Sequence, residues 1–138
     1  MLSKLFVRLN IFLYRLTAGI LGGNMGGATI LLLTTVGRKT GQPRTTPLRY
    51  LPHDKGYMVV ASNYGQTKPP AWFYNLQANP QVNFQVMNKH LTAHAEIASE
   101  AEQPALYQKF IEADPRFIEY VKTAKPRTIA IVILQPQS

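Results

Sequence analysis

The 138-residue sequence has no cysteine, which removes disulfides, thiolate nucleophiles and thiolate metal ligands from its chemistry. Acids are scarce too: seven Asp and Glu stand against fifteen Lys and Arg, for a net charge of +8. Six of those acids fall in residues 94–138, so residues 1–93 set ten bases against Asp54 alone. A one-sided field of this kind concentrates anions, although a merely solvated basic surface would carry the same composition. The only histidines are His53, His90 and His94. On a strand, the last two would stand about 13 Å apart, too far to share an ion, so no metal site is expected. Long apolar runs are also missing. Lys4, Arg8 and Arg15 interrupt the N-terminal stretch, whose longest unbroken apolar run is Ile11–Tyr14. A signal-peptide core needs roughly 7–15 such residues and a spanning helix about 20, so neither is read here. No serine lies in a nucleophile-elbow context, and no pair of acids is spaced for acid–base work.

What the sequence does contain is a core. With 46% hydrophobic and 16% charged residues, one compact domain is expected. On a helix, Leu2, Leu5, Phe6, Leu9, Phe12, Leu13, Leu16 and Ile20 share one face, with Lys4, Arg8 and Arg15 stacked beside it. That face suits either the protein's own body, a second subunit, or an anionic membrane surface. Gly22–Gly27 reads as a hinge, so residues 1–27 form one unit and 28–138 another. Strands are expected over 28–36, 44–51, 57–62, 81–87, 91–98 and 127–134, with turns at Gly37–Gly41, Asp54–Gly56 and Lys89–His90. A short helix starts after Pro70 and ends at Asn79–Pro80, a capping box at Ser99 and Glu102 opens another through Ala113, and a further short helix or turn covers Pro115–Lys122. Short connections favour antiparallel pairing, so the fold class is α+β: about six mostly antiparallel strands in a small barrel with peripheral helices.

Two segments carry candidate chemistry. In GRKTGQPR, residues 37–44, two glycines frame a turn that projects Arg38, Lys39, Thr40 and Arg44, a set suited to phosphate or carboxylate groups but lacking the Walker spacing. In ASNYGQTKPPAWFYN, residues 61–75, a strand ends in small polar residues and a loop leads to Trp72, Phe73, Tyr74 and Asn75. These aromatics suit either core packing or a cradle for a planar ring.

Together with LLLTTVGRKTGQPRTTPL and VVASNYGQTKPPAWFYNLQANPQV, the terminal PRTIAIVIL resembles the deazaflavin-dependent nitroreductase and quinone reductase family over about residues 28–134. The resemblance implies a split β-barrel, coenzyme F420 as cofactor, and hydride transfer to a quinone-like or other conjugated acceptor. It implies that Arg38, Lys39, Thr40, Arg44, Thr45, Thr46, Pro47, Leu48 and Arg49 line the coenzyme's anionic side. Val60, Ala61, Ser62, Asn63, Ala71, Trp72, Phe73, Tyr74 and Asn75 would frame the deazaflavin. F420 bears a phosphate and a glutamate tail, for which a basic groove is the complement. The sequence departs from the family at Asn63, where a lysine is frequent, and at Phe117, which takes the first position of a frequent Tyr-x-x-Tyr pair whose second position Tyr120 keeps. Poor turnover of bicyclic nitroimidazoles is therefore expected. Phe117 and Tyr120 are assigned to the substrate pocket, and Ser62 and Tyr120 to donation toward the acceptor oxygen. The alternatives are a split barrel binding FMN, and a non-enzymatic binder of anionic membrane or nucleic acid; nucleic acid is disfavoured because bases and aromatics are poorly interleaved. The expected location is cytoplasmic, with a peripheral seat on the inner face of the membrane and a homodimer both left open.

Overall fold

A computed structural model describes residues 4–17, 19, 24–25, 28–54 and 56–137; Gly22, Gly23, Gly26 and Gly27 of the expected hinge lie outside them. Its elements are α1 (Lys4–Thr17), β1 (Asn24–Met25), β2 (Ala28–Val36), β3 (Pro43–His53), β4 (Gly56–Val60), α2 (Ala71–Ala78), β5 (Gln81–Val86), β6 (Lys89–His94), β7 (Glu96–Ile97), α3 (Gln103–Ala113), α4 (Arg116–Ala124) and β8 (Ile131–Leu134). The strands run in the order β6-β5-β2-β3-β4-β8-β7, with β1 also on β2. Every pairing is antiparallel. The segment after β8 returns to β6, bridging Ala93 to Pro136 and donating Gln137 N–H to Thr92 O at 2.8 Å. The sheet thus curls into a nearly closed barrel.

Period-two alternation builds two cores on opposite faces of the same strands. Leu31, Leu33, Val59, Ala61, Val132 and Leu134 point into the barrel, against Trp72, Phe73 and Leu76 of α2 and Val82, Phe84 and Val86 of β5. Met58, Val60 and Ile131 point the other way, under Leu106, Tyr107 and Phe110 of α3 and Phe117 of α4. Each fully buried Leu, Ile or Phe contributes about 1.5–3 kcal/mol. The second core clamps the α3–α4 corner onto the strand that leads into Ser62.

Four local expectations are corrected. The β5–β6 turn falls at Met87–Asn88, where Met87 has φ 54, and Lys89 and His90 are already in β6. Tyr14 explains the position: its hydroxyl, fully buried, donates to Gln85 O at 3.1 Å and accepts from Met87 N–H at 2.7 Å. Within the expected hinge, Asn24 and Met25 pair with Thr29 and Ala28. The expected strand over 91–98 breaks at Ala95, whose N–H turns to Pro80 O at 2.8 Å. Finally, the Ser99–Glu102 box forms, with Glu102 N–H on Ser99 Oγ and Ser99 N–H on Glu102 Oε1, both at 3.2 Å, yet the regular helix starts only at Gln103.

The amphipathic N-terminal helix forms, but its greasy face points outward. Tyr14 anchors the opposite side, and Leu5, Leu9, Phe12 and Leu16 remain 78, 51, 58 and 69% exposed. Arg15 fixes the helix to β3 by donating from Nη2 to Thr45 Oγ1 at 3.0 Å.

Candidate active site

A cavity of about 670 Å³ opens between β3, the end of β4, α1 and the start of α4. Apolar groups dominate its wall: Ile30, Leu48, Val60, Trp72 and Phe117. Thr46, Arg49, Ser62, Asn63, Asp114, Arg116 and Tyr120 add polar groups at separate points. Such a slot, apolar with a few directed polar groups, suits a planar organic ring.

The hairpin between β2 and β3 lies next to this slot. Gly37 N–H donates to Gln42 O and Gly41 N–H to Gly37 O, at 2.8 and 2.7 Å, closing a tight turn in which Gly41 has φ +73. Arg38, Lys39 and Arg44 are exposed, and none forms an ion pair with an acid among the described residues. Thr40 Oγ1 accepts from Gln42 N–H at 3.2 Å and Arg44 Nη2 at 3.4 Å, orienting the loop. At about 3.4 Å of rise per residue, Arg44 lies roughly 7 Å along β3 from Thr46, where the cavity begins.

The residues assigned from sequence divide by position. Thr46, Pro47, Leu48, Arg49, Val60, Ser62, Asn63, Trp72, Phe117 and Tyr120 line the cavity together. Arg38, Lys39, Thr40 and Arg44 occupy the adjoining hairpin. Thr45 is engaged with Arg15 and, at 2.8 Å, with Thr34 Oγ1. Ala61 and Phe73 lie in the barrel core, and Ala71 is exposed at the start of α2. Asn75 is buried and ties that helix to the hairpin: its Oδ1 accepts from Arg38 N–H at 3.1 Å and its Nδ2 donates to Thr35 Oγ1 at 3.2 Å. Tyr74 stacks beneath the Arg38 guanidinium, 4.7 Å from ring centroid to carbon. Phe117 is 6% exposed, its ring packed edge-on against Tyr107, Phe110 and Tyr120.

Several participants were not legible as site residues. Val7 and Asn10 of α1 form part of the cavity wall, as does Tyr64. Asp114 is held by two arginines, with Arg49 Nη1 at 3.1 Å and Arg116 Nη2 at 2.6 Å on Oδ2. Hydrogen bonds from Arg116 hold the Asp114 carboxyl below its ordinary pKa, and the same contact raises that of Arg116. Arg49 Nε is buried without a partner among the described residues. The loop after β4 is the most unusual segment. Asn63, Tyr64 and Gly65 are successive left-handed residues, with φ 46, 55 and 73, a conformation that glycine adopts freely and asparagine tolerates but that is costly for tyrosine. Arg127, 65 residues away from Ser62, grips this loop from behind, and burial lowers its pKa. In the sequence it stands in the terminal PRTIAIVIL motif, from which no site role was read. Among the described residues, no three His, Asp or Glu side chains gather to hold a metal.

The F420H(2)-dependent quinone reductase family matches the chain over residues 6–136. An F420H(2)-dependent quinone reductase of Mycobacterium tuberculosis is 36% identical over 131 residues, covering 93% of this chain and 88% of that protein. A second protein from the same species, named as a putative member, is 32% identical over 78% of this chain and 89% of its own length. Among solved structures, an F420-H2 dependent reductase superposes with TM-score 0.68 at 34% identity, covering 76% of this chain and 92% of that one. A domain-swapped dimer superposes with TM-score 0.72 at 30% identity, over 92% and 93%. By the family match and these relatives, the chain belongs to the F420H(2)-dependent quinone reductase family, oxidoreductases whose cofactor is the deazaflavin F420.

Proposed function

We propose that this chain reduces a quinone or similarly conjugated acceptor within the cavity between β3 and α4, gripping F420 by the basic hairpin at the cavity's edge. The observation carrying the reading is the adjacency of an apolar slot and three cations that pair with no acid among the described residues. F420 combines a planar tricycle with a phosphate and glutamates, so both halves of the site fit it. Arg38, Lys39, Thr40 and Arg44 would hold the anionic portion; each charge-assisted hydrogen bond contributes roughly 1.5–3 kcal/mol. Thr46 to Arg49, Val60, Ser62, Asn63 and Trp72 would hold the ring. When bound, the coenzyme supplies the hydride. A quinone also needs a proton to become a hydroquinone; of the four hydroxyls lining the cavity, on Thr46, Ser62, Tyr64 and Tyr120, those of Ser62 and Tyr120 are assigned to stabilise charge growing on its oxygen. Apolar walls exclude water from that oxygen and strengthen such donation.

The test is steady-state oxidation of reduced F420 by a soluble quinone with the intact chain, Ser62→Ala and Tyr120→Phe. Each substitution should lower kcat more than coenzyme affinity. Wild-type kcat in both would remove these residues from the reaction.

We further propose that α1 rests on an anionic membrane surface, where an apolar quinone would be concentrated. The supporting observation is the outward ridge of Leu5, Leu9, Phe12 and Leu16 flanked by Lys4, Arg8 and Arg15. No helix among the described residues is long and apolar enough to cross a membrane. Apolar burial contributes about 25 cal/mol per Å², and each base near anionic lipid about 1 kcal/mol. Co-sedimentation with anionic rather than neutral vesicles is expected at low salt. A full chain that stays in the supernatant, or that forms a salt-insensitive dimer through α1, would contradict this reading.

A further inference from the structure

One side chain, that of Arg127, braces both ends of the loop from Ala61 to Gln66. Arg127 donates from Nη1 to Ala61 O at 3.1 Å, from Nη2 to Ser62 O at 2.8 Å and from Nε to Gln66 O at 3.0 Å. Every guanidinium nitrogen is used, and the fork spans both ends of the loop. No acid pairs with Arg127 among the described residues. A second tether comes from α4, where Thr123 Oγ1 donates to Gly65 O at 2.7 Å. Between these anchors the backbone keeps its left-handed run through Asn63, Tyr64 and Gly65. Two strained non-glycine residues persist only where surroundings over-determine them, and such positions cluster at functional sites.

The direction of the carbonyls decides what the loop offers to the cavity. In a trans peptide the C=O of one residue and the N–H of the next point opposite ways. With Ala61 O and Ser62 O drawn onto Arg127, the N–H groups of Ser62 and Asn63 are turned to the other side. No protein acceptor receives either N–H among the described residues. Ser62 and Asn63 both line the cavity, and Arg127 does not. Ser62 is right-handed at φ −75, ψ −35 and Asn63 left-handed at φ 46. Alternation of that kind converges successive N–H groups on an electron-rich atom.

We infer that Arg127 is a positioning residue: by holding three carbonyls behind the loop, it presents the Ser62 and Asn63 N–H groups to a carbonyl or oxyanion oxygen of the coenzyme ring bound in the cavity. The inference rests on the cavity being the coenzyme site. Lysine cannot replace the fork, because one ammonium cannot reach both ends of the loop at these distances.

The test compares the full-length protein with Arg127→Met, Arg127→Lys and, as a control for the site itself, Lys39→Ala. Three readouts are taken: amide hydrogen exchange of residues 61–66, F420 affinity from the coenzyme's fluorescence, and kcat with a quinone. Arg127→Met should raise exchange across the loop and weaken F420 binding about tenfold, the equivalent of one such hydrogen bond. It should lower kcat by about a hundredfold, the scale of a 1 Å misplacement. Millimolar guanidinium should restore part of both binding and kcat, a recovery that a generally loosened fold would not show. If Arg127→Met does not fold, Arg127→Lys decides, with the same signs at smaller amplitude. Wild-type binding and kcat in a folded Arg127 variant overturn the inference. If Lys39→Ala loosens F420 in that experiment, the coenzyme site stands and only the role of Arg127 falls; if neither variant alters F420 binding, both fall.

Discussion

Gly65 and Gly41 share φ +73 but differ in surroundings, so alanine at each separates backbone strain from crowding. At Gly41 a Cβ would meet nothing within 4 Å. At Gly65 it would fall on the Thr123 hydroxyl and 2.8 Å from Tyr120 Cα, in the seam between the loop and α4. Left-handed alanine costs about 1–2 kcal/mol in the native state, reduced by roughly 0.4–1 kcal/mol because alanine also restricts the unfolded chain. Gly41→Ala should therefore lose about 1 kcal/mol or less. Crowding of a packed seam adds about 1–3 kcal/mol, so Gly65→Ala should lose about 2–4. For a chain of this length each kcal/mol moves Tm by about 3–4 °C, so thermal unfolding followed by circular dichroism should show shifts of about 6–16 °C for Gly65→Ala and under about 4 °C for Gly41→Ala. Because the strained contact lies on the Tyr120 backbone, Gly65→Ala should also lower kcat for quinone reduction. Equal Tm shifts in the two variants would refute the packing of α4 against the loop.

Asp114→Asn should lose about 1–3 kcal/mol at neutral pH, since Arg49 and Arg116 would keep a weaker acceptor. Its carboxyl is held below the ordinary value by Arg116, so its stabilisation is present above the unfolded pKa of about 4 and disappears as pH falls through the lower native value. Urea titrations across that acid range should show a shallower slope for Asp114→Asn; identical slopes would exclude the pair as the cause. Tyr107 is buried, with its hydroxyl donating to Phe117 O at 2.7 Å and burial pushing its pKa up to about 12. Stability from this phenol is full below pH 10, the unfolded value, and is lost as pH rises toward 12, so Tyr107→Phe should be less stable at neutral pH and lose less on alkaline titration. An unchanged alkaline slope would count against that assignment.

Local chemistry was legible where neighbours in sequence determine it. The Gly37–Gly41 turn, the start of α2 after Pro70 and the Ser99–Glu102 box form from residues within a few positions of each other. Strand faces followed from alternation. The outward orientation of α1 did not, because the burial of Tyr14 depends on Gln85 and Met87, more than seventy residues on. That partnership also sets the β5–β6 turn two residues earlier than Lys89 and His90 suggest. The same limit applies to the site. Thr46–Arg49, Ser62 and Asn63, which line one cavity, stand in continuous motifs, whereas the contacts of Arg127 with the loop and of Arg49 with Asp114 join residues more than sixty apart. Asn75 and Tyr74 read as ring contacts, yet their partners are the hairpin's own backbone and Arg38.

We propose that the hairpin cations, which pair with no acid among the described residues, and the apolar slot form one F420 site. Titrating the purified chain with F420 and FMN, at low and high salt, tests it most directly. F420 should bind, more weakly as salt rises or the glutamate tail is shortened, and Arg38→Ala, Lys39→Ala and Arg44→Ala should each loosen it, with FMN binding weaker throughout. Tight FMN binding without detectable F420 binding would contradict the account.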